Sequence, residues 1–250
     1  MNSGFYLITG TSRGIGEALA RRLLAQGHTV VGVARNRPDS LDSARYHHVT
    51  FDLTETSRIG DIMHAADEAV SGRDFDFICL VNNASAVEPV GRIERCAALD
   101  IEAHIRIGLV APMLLTSLFV RRFAAAAARK KVAFISSGAA YTPIAGESVY
   151  CSAKAGLNMF AQCIGLEQGD DQSGFEVVSI GPGMVDTEMQ LAVRSKTRDE
   201  FAMADFFKRA FDDGMLTQPD DVAAKICTIL ENRYEQGAAV RVTDTQLRGQ

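Results

Sequence analysis

Short apolar runs alternate with amphipathic stretches along nearly the whole chain. Phe5-Tyr6-Leu7-Ile8-Thr9 reads as a buried strand. After it, Ile15, Leu19, Leu23 and Leu24 recur at helical spacing, and this helix is expected to stop near Gly27. Residues 29–34 form a second apolar run, and His48-Val49-Thr50-Phe51 a weaker third. Residues 57–70 read as helix, 77–81 as strand, and 99–129 as one long helix ending in the alanine run 124–128. A strand at 132–135, a helix at 148–168, a strand at 175–180, a helix from near Asp220 and a last strand at 240–242 complete the series. Strands that are apolar throughout, each followed by a helix, mean a parallel sheet buried on both faces. The expected fold is α/β, a doubly wound parallel sheet of about seven strands with helices on both faces.

Composition removes several function classes. The chain has 250 residues, 47% hydrophobic and 23% charged, with a formal net charge of −5. It is too apolar and too ordinarily charged for disorder. No apolar run reaches the ~18 residues that span a bilayer, so no membrane partner is expected. The acidic balance, pI near 5.6, argues against nucleic acid. Five cysteines form no CxxC pair and no metal-ligand spacing, which fits a reducing compartment and no metal. Met1 leads within a few residues into the first strand, so a cytoplasmic protein is expected.

Three clusters of residues carry chemistry. Gly10-x-x-x-Gly14-x-Gly16 lies between the first strand and the first helix, where glycine lets a pyrophosphate approach backbone N–H groups at a positive helix end. The second strand ends at Ala34-Arg35, where an NAD enzyme needs a carboxylate for the ribose hydroxyls. Arg13 and Arg35 instead suit a 2′-phosphate. Residues 13–45 hold six arginines against Glu17, Asp39 and Asp42, a local charge of +3. Finally, Tyr150-x-x-x-Lys154 puts two side chains on one helix face, with Ser137 thirteen residues before the tyrosine.

Together these motifs resemble the short-chain dehydrogenase/reductase family: the TGxxxGxG loop, Asn82-Asn83-Ala84, Ser137 with Tyr150 and Lys154, and Gly181-Pro182-Gly183-Met184-Val185-Asp186-Thr187. The resemblance runs from about residue 5 to 243. It implies a single-domain Rossmann fold over residues 1–250, with Ser137, Tyr150 and Lys154 as catalytic residues. It implies NADP(H) held by Gly10, Ser12, Arg13, Gly14, Ile15, Gly16, Arg35, Asp52, Leu53, Asn82, Ala84, Tyr150, Lys154, Pro182, Gly183, Val185 and Thr187. Asp52 reads either as an adenine cap or as a helix-entry residue. In this reading Tyr150 gives a proton to a carbonyl oxygen, cationic Lys154 lowers the tyrosine pKa, and Ser137 positions the oxygen.

The stretch 181–190 and the Gly237-Ala238-Ala239-Val240 ending look most like sepiapterin reductases and their bacterial benzil (diketone) reductase relatives. The implied activity is NADPH-dependent reduction of a ketone or dicarbonyl. Alternatives are another short-chain alcohol dehydrogenase (3-oxoacyl, sugar or steroid) or a non-catalytic NADP-binding sensor. Two positions depart from the family. Gly108 stands where the family's fourth catalytic residue, asparagine, is expected in a kinked helix, and Pro112 leaves the Gly108 carbonyl without its usual donor. His104, one turn earlier, reads as a contributor or as a packing residue. Arg241 replaces an aspartate that grips the pterin, which disfavours sepiapterin and favours small apolar dicarbonyls or aryl ketones. The Met/Phe-rich excursion at 187–218 is either ordinary core covering or a lid. A homodimer or homotetramer packed through the long helices is also implied.

Overall fold

Seven strands hydrogen-bond into one wholly parallel sheet: β1 (Gly4–Thr9), β2 (Thr29–Ala34), β3 (Tyr46–Thr50), β4 (Phe77–Asn82), β5 (Arg129–Ile135), β6 (Phe175–Gly181) and β7 (Ala238–Arg241). Their spatial order is β3-β2-β1-β4-β5-β6-β7. This computed structural model describes residues 3–169 and 174–245. Helices α1 (Gly14–Ala25), α2 (Gly60–Val70), α3 (Ala98–Ile105), α4 (Ala111–Phe123), α5 (Ser148–Gln168), α6 (Glu188–Arg194), α7 (Ala204–Asp212) and α8 (Pro219–Glu231) connect or cover it.

The apolar strands divide their side chains by alternate residues. Phe5, Leu7, Leu80 and Phe134 face one layer, where Ile62 of α2, Phe119 of α4 and Leu157 of α5 meet them. Tyr6, Ile8, Val81 and Ala133 face the other, against Leu19 of α1 and Ile226 of α8. The doubly wound reading is therefore met on both faces.

Three sequence expectations are corrected. The long helix ends at Phe123, not within the alanine run. Just beyond its end the Ala124 and Ala126 carbonyls accept hydrogen bonds from Lys130 Nζ, 2.9 and 3.2 Å, and the chain turns into β5. β5 accordingly starts at Arg129, three residues before its apolar stretch. Its charges are paired inside: Arg129 Nη2 donates to Glu176 at 2.6 Å, and buried Lys131 donates to the Leu230 carbonyl at the end of α8, 2.9 Å. Finally, Ala98–Phe123 is one helical run of 26 residues, long and apolar enough by composition to cross a bilayer. Scattered polar residues hid it from a search for an uninterrupted apolar run. Its inner residues Leu115, Phe119 and Phe123 belong to the core.

That run is not regular. Residues Arg106–Val110 form a π-helical turn between α3 and α4, and Pro112 lies in the first turn of α4. The irregularity falls where Pro112 removes the backbone donor to residue 108. The excursion at 187–218 is indeed two helices, α6 and α7. They have a small core of their own, in which Val193, Phe201 and Ala204 are buried against Val87, Val90, Ile144 and Phe207.

Candidate active site

The parallel sheet brings its functional residues to one edge, the carboxyl ends of the strands. The chain direction of the windings reverses between β1 and β4, which leaves a crevice there. The glycine loop follows β1. Gly10 and Gly14 take φ of +76° and +59°, a region that disfavours side chains. At Gly16 a Cβ would stand 2.1 Å from the Gly10 carbonyl oxygen, so the loop folds against its own helix only with glycine there. α1 opens at Gly14 from extended Arg13 with no side-chain cap, so its first N–H groups are left for another acceptor. Ser12 and Ile15 sit half-buried in this turn.

Two residues not singled out for this role hold the loop in place. The Thr9 hydroxyl accepts from the backbone N–H groups of Asn83 and Ala84, both 3.0 Å, and Asn83 Nδ2 donates to the Thr9 and Gly10 carbonyls, 2.9 and 3.2 Å. The Asn-Asn-Ala motif carried this signal, but the expectation fell on Asn82 and Ala84. Asn82 is buried and donates to the Thr116 hydroxyl, 3.2 Å, while its own Oδ1 has no partner among the described residues. The Ser85 hydroxyl, three residues on, is buried and unpartnered among the described residues as well.

The two arginines expected at the phosphate part company. Arg35 is exposed at the end of β2, on a cavity of about 220 Å³ lined also by Thr50, Phe51, Asp52, Glu55 and Arg58. Arg13 is ion-paired with Glu188 of α6 instead. Asp52 Oδ1 accepts from the Thr54 backbone N–H, 2.9 Å, and hydroxyl, 2.8 Å. The Thr54 N–H, with the charge of Arg35 assisting, holds the Asp52 carboxyl below its usual range. Leu53 is buried beneath it. Arg58, which the sequence did not single out, is held by Glu55 and Asp61 at 2.8 and 2.9 Å on the same cavity wall.

Ser137, Tyr150 and Lys154 come together beyond the end of β5. Ser137 accepts from the Ala139 N–H, 3.2 Å, which fixes its side chain, and its hydroxyl works to lower the Tyr150 pKa. Lys154 lies one turn along α5, its Nζ 5.6 Å from the Tyr150 ring centre and donating to the Ile135 carbonyl at 2.9 Å. Burial pushes the Tyr150 hydroxyl up to about 12, against the lowering pull of Ser137 and with a further push from the Glu147 carboxylate. Burial also lowers Lys154 to about 8. In the protein alone, desolvation therefore sets the direction of the Tyr150 shift. Glu147, just ahead of α5, is buried and raised to about 6.

The last loop closes the edge. Pro182 is buried, Gly183 turns at φ +76°, and Val185 is buried where it forms an isolated parallel bridge with Thr217. Thr187 caps α6 by accepting from the Gln190 N–H, 3.4 Å. A Cβ on Gly14 would lie 3.3 Å from the Thr187 methyl, so this loop stands over the start of α1. Arg241 ends β7 in register with Gly181, and residues Val242–Asp244 turn away as a short 3-10 helix rather than extending the strand.

The family model for short chain dehydrogenases matches residues 5–198. A benzil reductase ((S)-benzoin forming) of Bacillus subtilis is 35% identical over 93% of this chain and 95% of its own length. Sepiapterin reductase of Meriones unguiculatus is 27% identical, covering 95% of each chain. A short chain dehydrogenase/reductase of Saccharomyces cerevisiae has the same fold, with a TM-score of 0.83 at 22% identity over 98% of each chain. With the family model matched over residues 5–198 and these relatives aligned over nearly the whole chain, the chain belongs to the short-chain dehydrogenase/reductase family, near its benzil and sepiapterin reductases.

Proposed function

We propose that the protein is an NADPH-dependent carbonyl reductase that acts on apolar ketones and dicarbonyls of the benzil type. One observation carries the reading: Tyr150 and Lys154 share one face of α5 beyond the end of β5, with Lys154 Nζ 5.6 Å from the Tyr150 ring centre and held by the Ile135 carbonyl at 2.9 Å. Burial favours the protonated Tyr150 hydroxyl, the state required of an acid that protonates a carbonyl oxygen. Ser137 holds the oxygen, Tyr150 gives the proton, and Lys154 beneath the ring restores it. The bound dinucleotide supplies the hydride. The residues present fit it: the positive-φ glycines, the uncapped start of α1 and the orphaned Asn82 Oδ1 suit its pyrophosphate and polar groups.

Selection of NADPH rests on Arg35, which stands free beside the cavity next to Asp52, with no carboxylate at Ala34. Arg13 joins it when Glu188 lets go. Leu53, Pro182, Gly183, Val185 and Thr187 complete the cofactor walls. Helices α6 and α7 act as a substrate lid, and the 35% identity to a benzil reductase supports the diketone class. The exposed Leu99, Leu114, Met159 and Leu166 on α3, α4 and α5 support a homodimer or homotetramer built on those helices. A cytoplasmic location completes the proposal. A panel of diketones and aryl ketones assayed with NADPH and with NADH tests it. The expected result is turnover with NADPH at a kcat/KM well above that with NADH, and no turnover of any carbonyl compound would refute it.

A further inference from the structure

His104 closes α3 just ahead of the π-helical turn and is 1% exposed. Its Nδ1 lies 2.7 Å from the carbonyl oxygen of Glu88. A carbonyl only accepts, so Nδ1 carries the ring proton and Nε2 carries the lone pair. That Nε2 is buried and has no hydrogen-bond partner among the described residues. A buried acceptor left alone costs on the order of 1–3 kcal/mol, so this one calls for a donor.

Its surroundings say which. The ring stands edge-on to Tyr150, centres 5.9 Å apart at 86°. A Cβ built on Gly108 would come within 3.8 Å of Cδ2 and 3.9 Å of Nε2, and within 3.3 Å of Ala153, the neighbour of Lys154. Nε2 therefore faces the space that the missing Gly108 side chain leaves beside the π turn. Lys154 has three N–H donors and, among the described residues, one acceptor, the Ile135 carbonyl. Burial first, and the nearby Lys154 charge, keep His104 neutral.

We propose that His104 is a positioning residue whose Nε2 anchors a water to which Lys154 donates, holding the route by which Lys154 regains the proton that it passes to Tyr150. The inference rests on the carbonyl-reductase reading. The proton balance is simple. Tyr150 loses its proton to the carbonyl oxygen, takes one from the Lys154 ammonium, and the amine takes one from solvent through that water. His104 stays neutral throughout, its one N–H committed to Glu88.

Three substitutions separate this role from packing. H104N keeps an N–H donor for the Glu88 carbonyl and removes the acceptor at Nε2. H104Q places an amide acceptor near Nε2 and gives up the Glu88 bond. H104F keeps only the ring against Tyr150. The expected result is that H104N and H104F lower kcat about ten-fold, with the ketone KM within about two-fold. The solvent deuterium isotope effect on kcat should rise in both, and H104Q should recover most of the loss. Nitrogen NMR of histidine-labelled protein supplies a readout without turnover. Nε2 of His104 should resonate as a hydrogen-bonded acceptor and move toward the free-acceptor position in K154M. An H104N enzyme equal to the parent, an H104Q enzyme as impaired as H104F, or an Nε2 signal indifferent to K154M would overturn the proposal. If the parent reduces no carbonyl compound, the functional reading falls, and the NMR result still decides the role of His104.

Discussion

Arg13, at the entry to α1, is ion-paired with Glu188, the first helical residue of α6. The pair ties the cofactor loop to the excursion across the crevice between β1 and β4. Both side chains are mostly exposed, so it is worth no more than about 1 kcal/mol. On the proposed NADPH reading, a 2′-phosphate should compete with Glu188 for Arg13. E188Q should therefore tighten NADPH binding about two- to five-fold and leave NADH binding unchanged. Fluorescence titration of both cofactors checks this, and an equal effect on the two would show that Arg13 does not meet the phosphate.

Arg35 should set cofactor choice more strongly. Among the described residues it forms no ion pair at the end of β2, and a carboxylate in its place would meet the ribose hydroxyls and repel a phosphate. R35D should shift the NADPH/NADH ratio of kcat/KM about 100-fold or more toward NADH. An unchanged ratio would place selection elsewhere.

Glu147 adds to the rise that burial gives the Tyr150 hydroxyl. Its buried carboxyl titrates near 6, and above that pH its charge raises the tyrosine pKa further. Alcohol oxidation needs the phenolate, so its rate should climb with pH well into the alkaline range. E147Q removes the opposing charge and should move that limb to lower pH. The pH profile of kcat for alcohol oxidation with NADP⁺ measures it, and a limb that moves upward or stays put contradicts the sign.

Lys154 is a stability cost carried for chemistry. Its pKa falls from 10.5 to about 8 on burial, so folding works against its proton below about pH 8, and the penalty fades as pH rises toward 10.5. K154M should abolish turnover yet raise Tm at pH 7 by about 2–4 °C, the response of a chain this size to about 1 kcal/mol. The gain is held down by the Ile135 carbonyl, which loses its donor. The Tm difference between the two proteins should shrink as pH climbs through that window, and a constant difference would contradict a titrating origin.

Much of the site was legible because its chemistry follows short local spacings. Gly10, Gly14 and Gly16 announce a turn, Tyr150 and Lys154 share a helix face, and buried parallel strands show as apolar runs. What stayed hidden depends on partners distant in sequence. The charged start of β5 reads as loop until Glu176 and the end of α8 are in view to neutralise it. The alanine run reads as helix because its propensity is high, but Lys130 caps the helix before it. Thr9 and Asn83 look unremarkable until the fold sets them 74 residues apart in sequence and one hydrogen bond apart in space. Arg13 and Arg35 looked alike as charges, and only the position of Glu188 separates them.

The central claim is that Tyr150 is the proton donor of a carbonyl reductase, and Y150F tests it most directly. The hydroxyl goes, while the ring stays against His104 and above Lys154. Steady-state reduction of benzil with NADPH should fall about 10²–10⁴-fold in Y150F, with NADPH affinity by fluorescence titration within about three-fold of the parent. Benzil turnover in Y150F equal to that of the parent would contradict it.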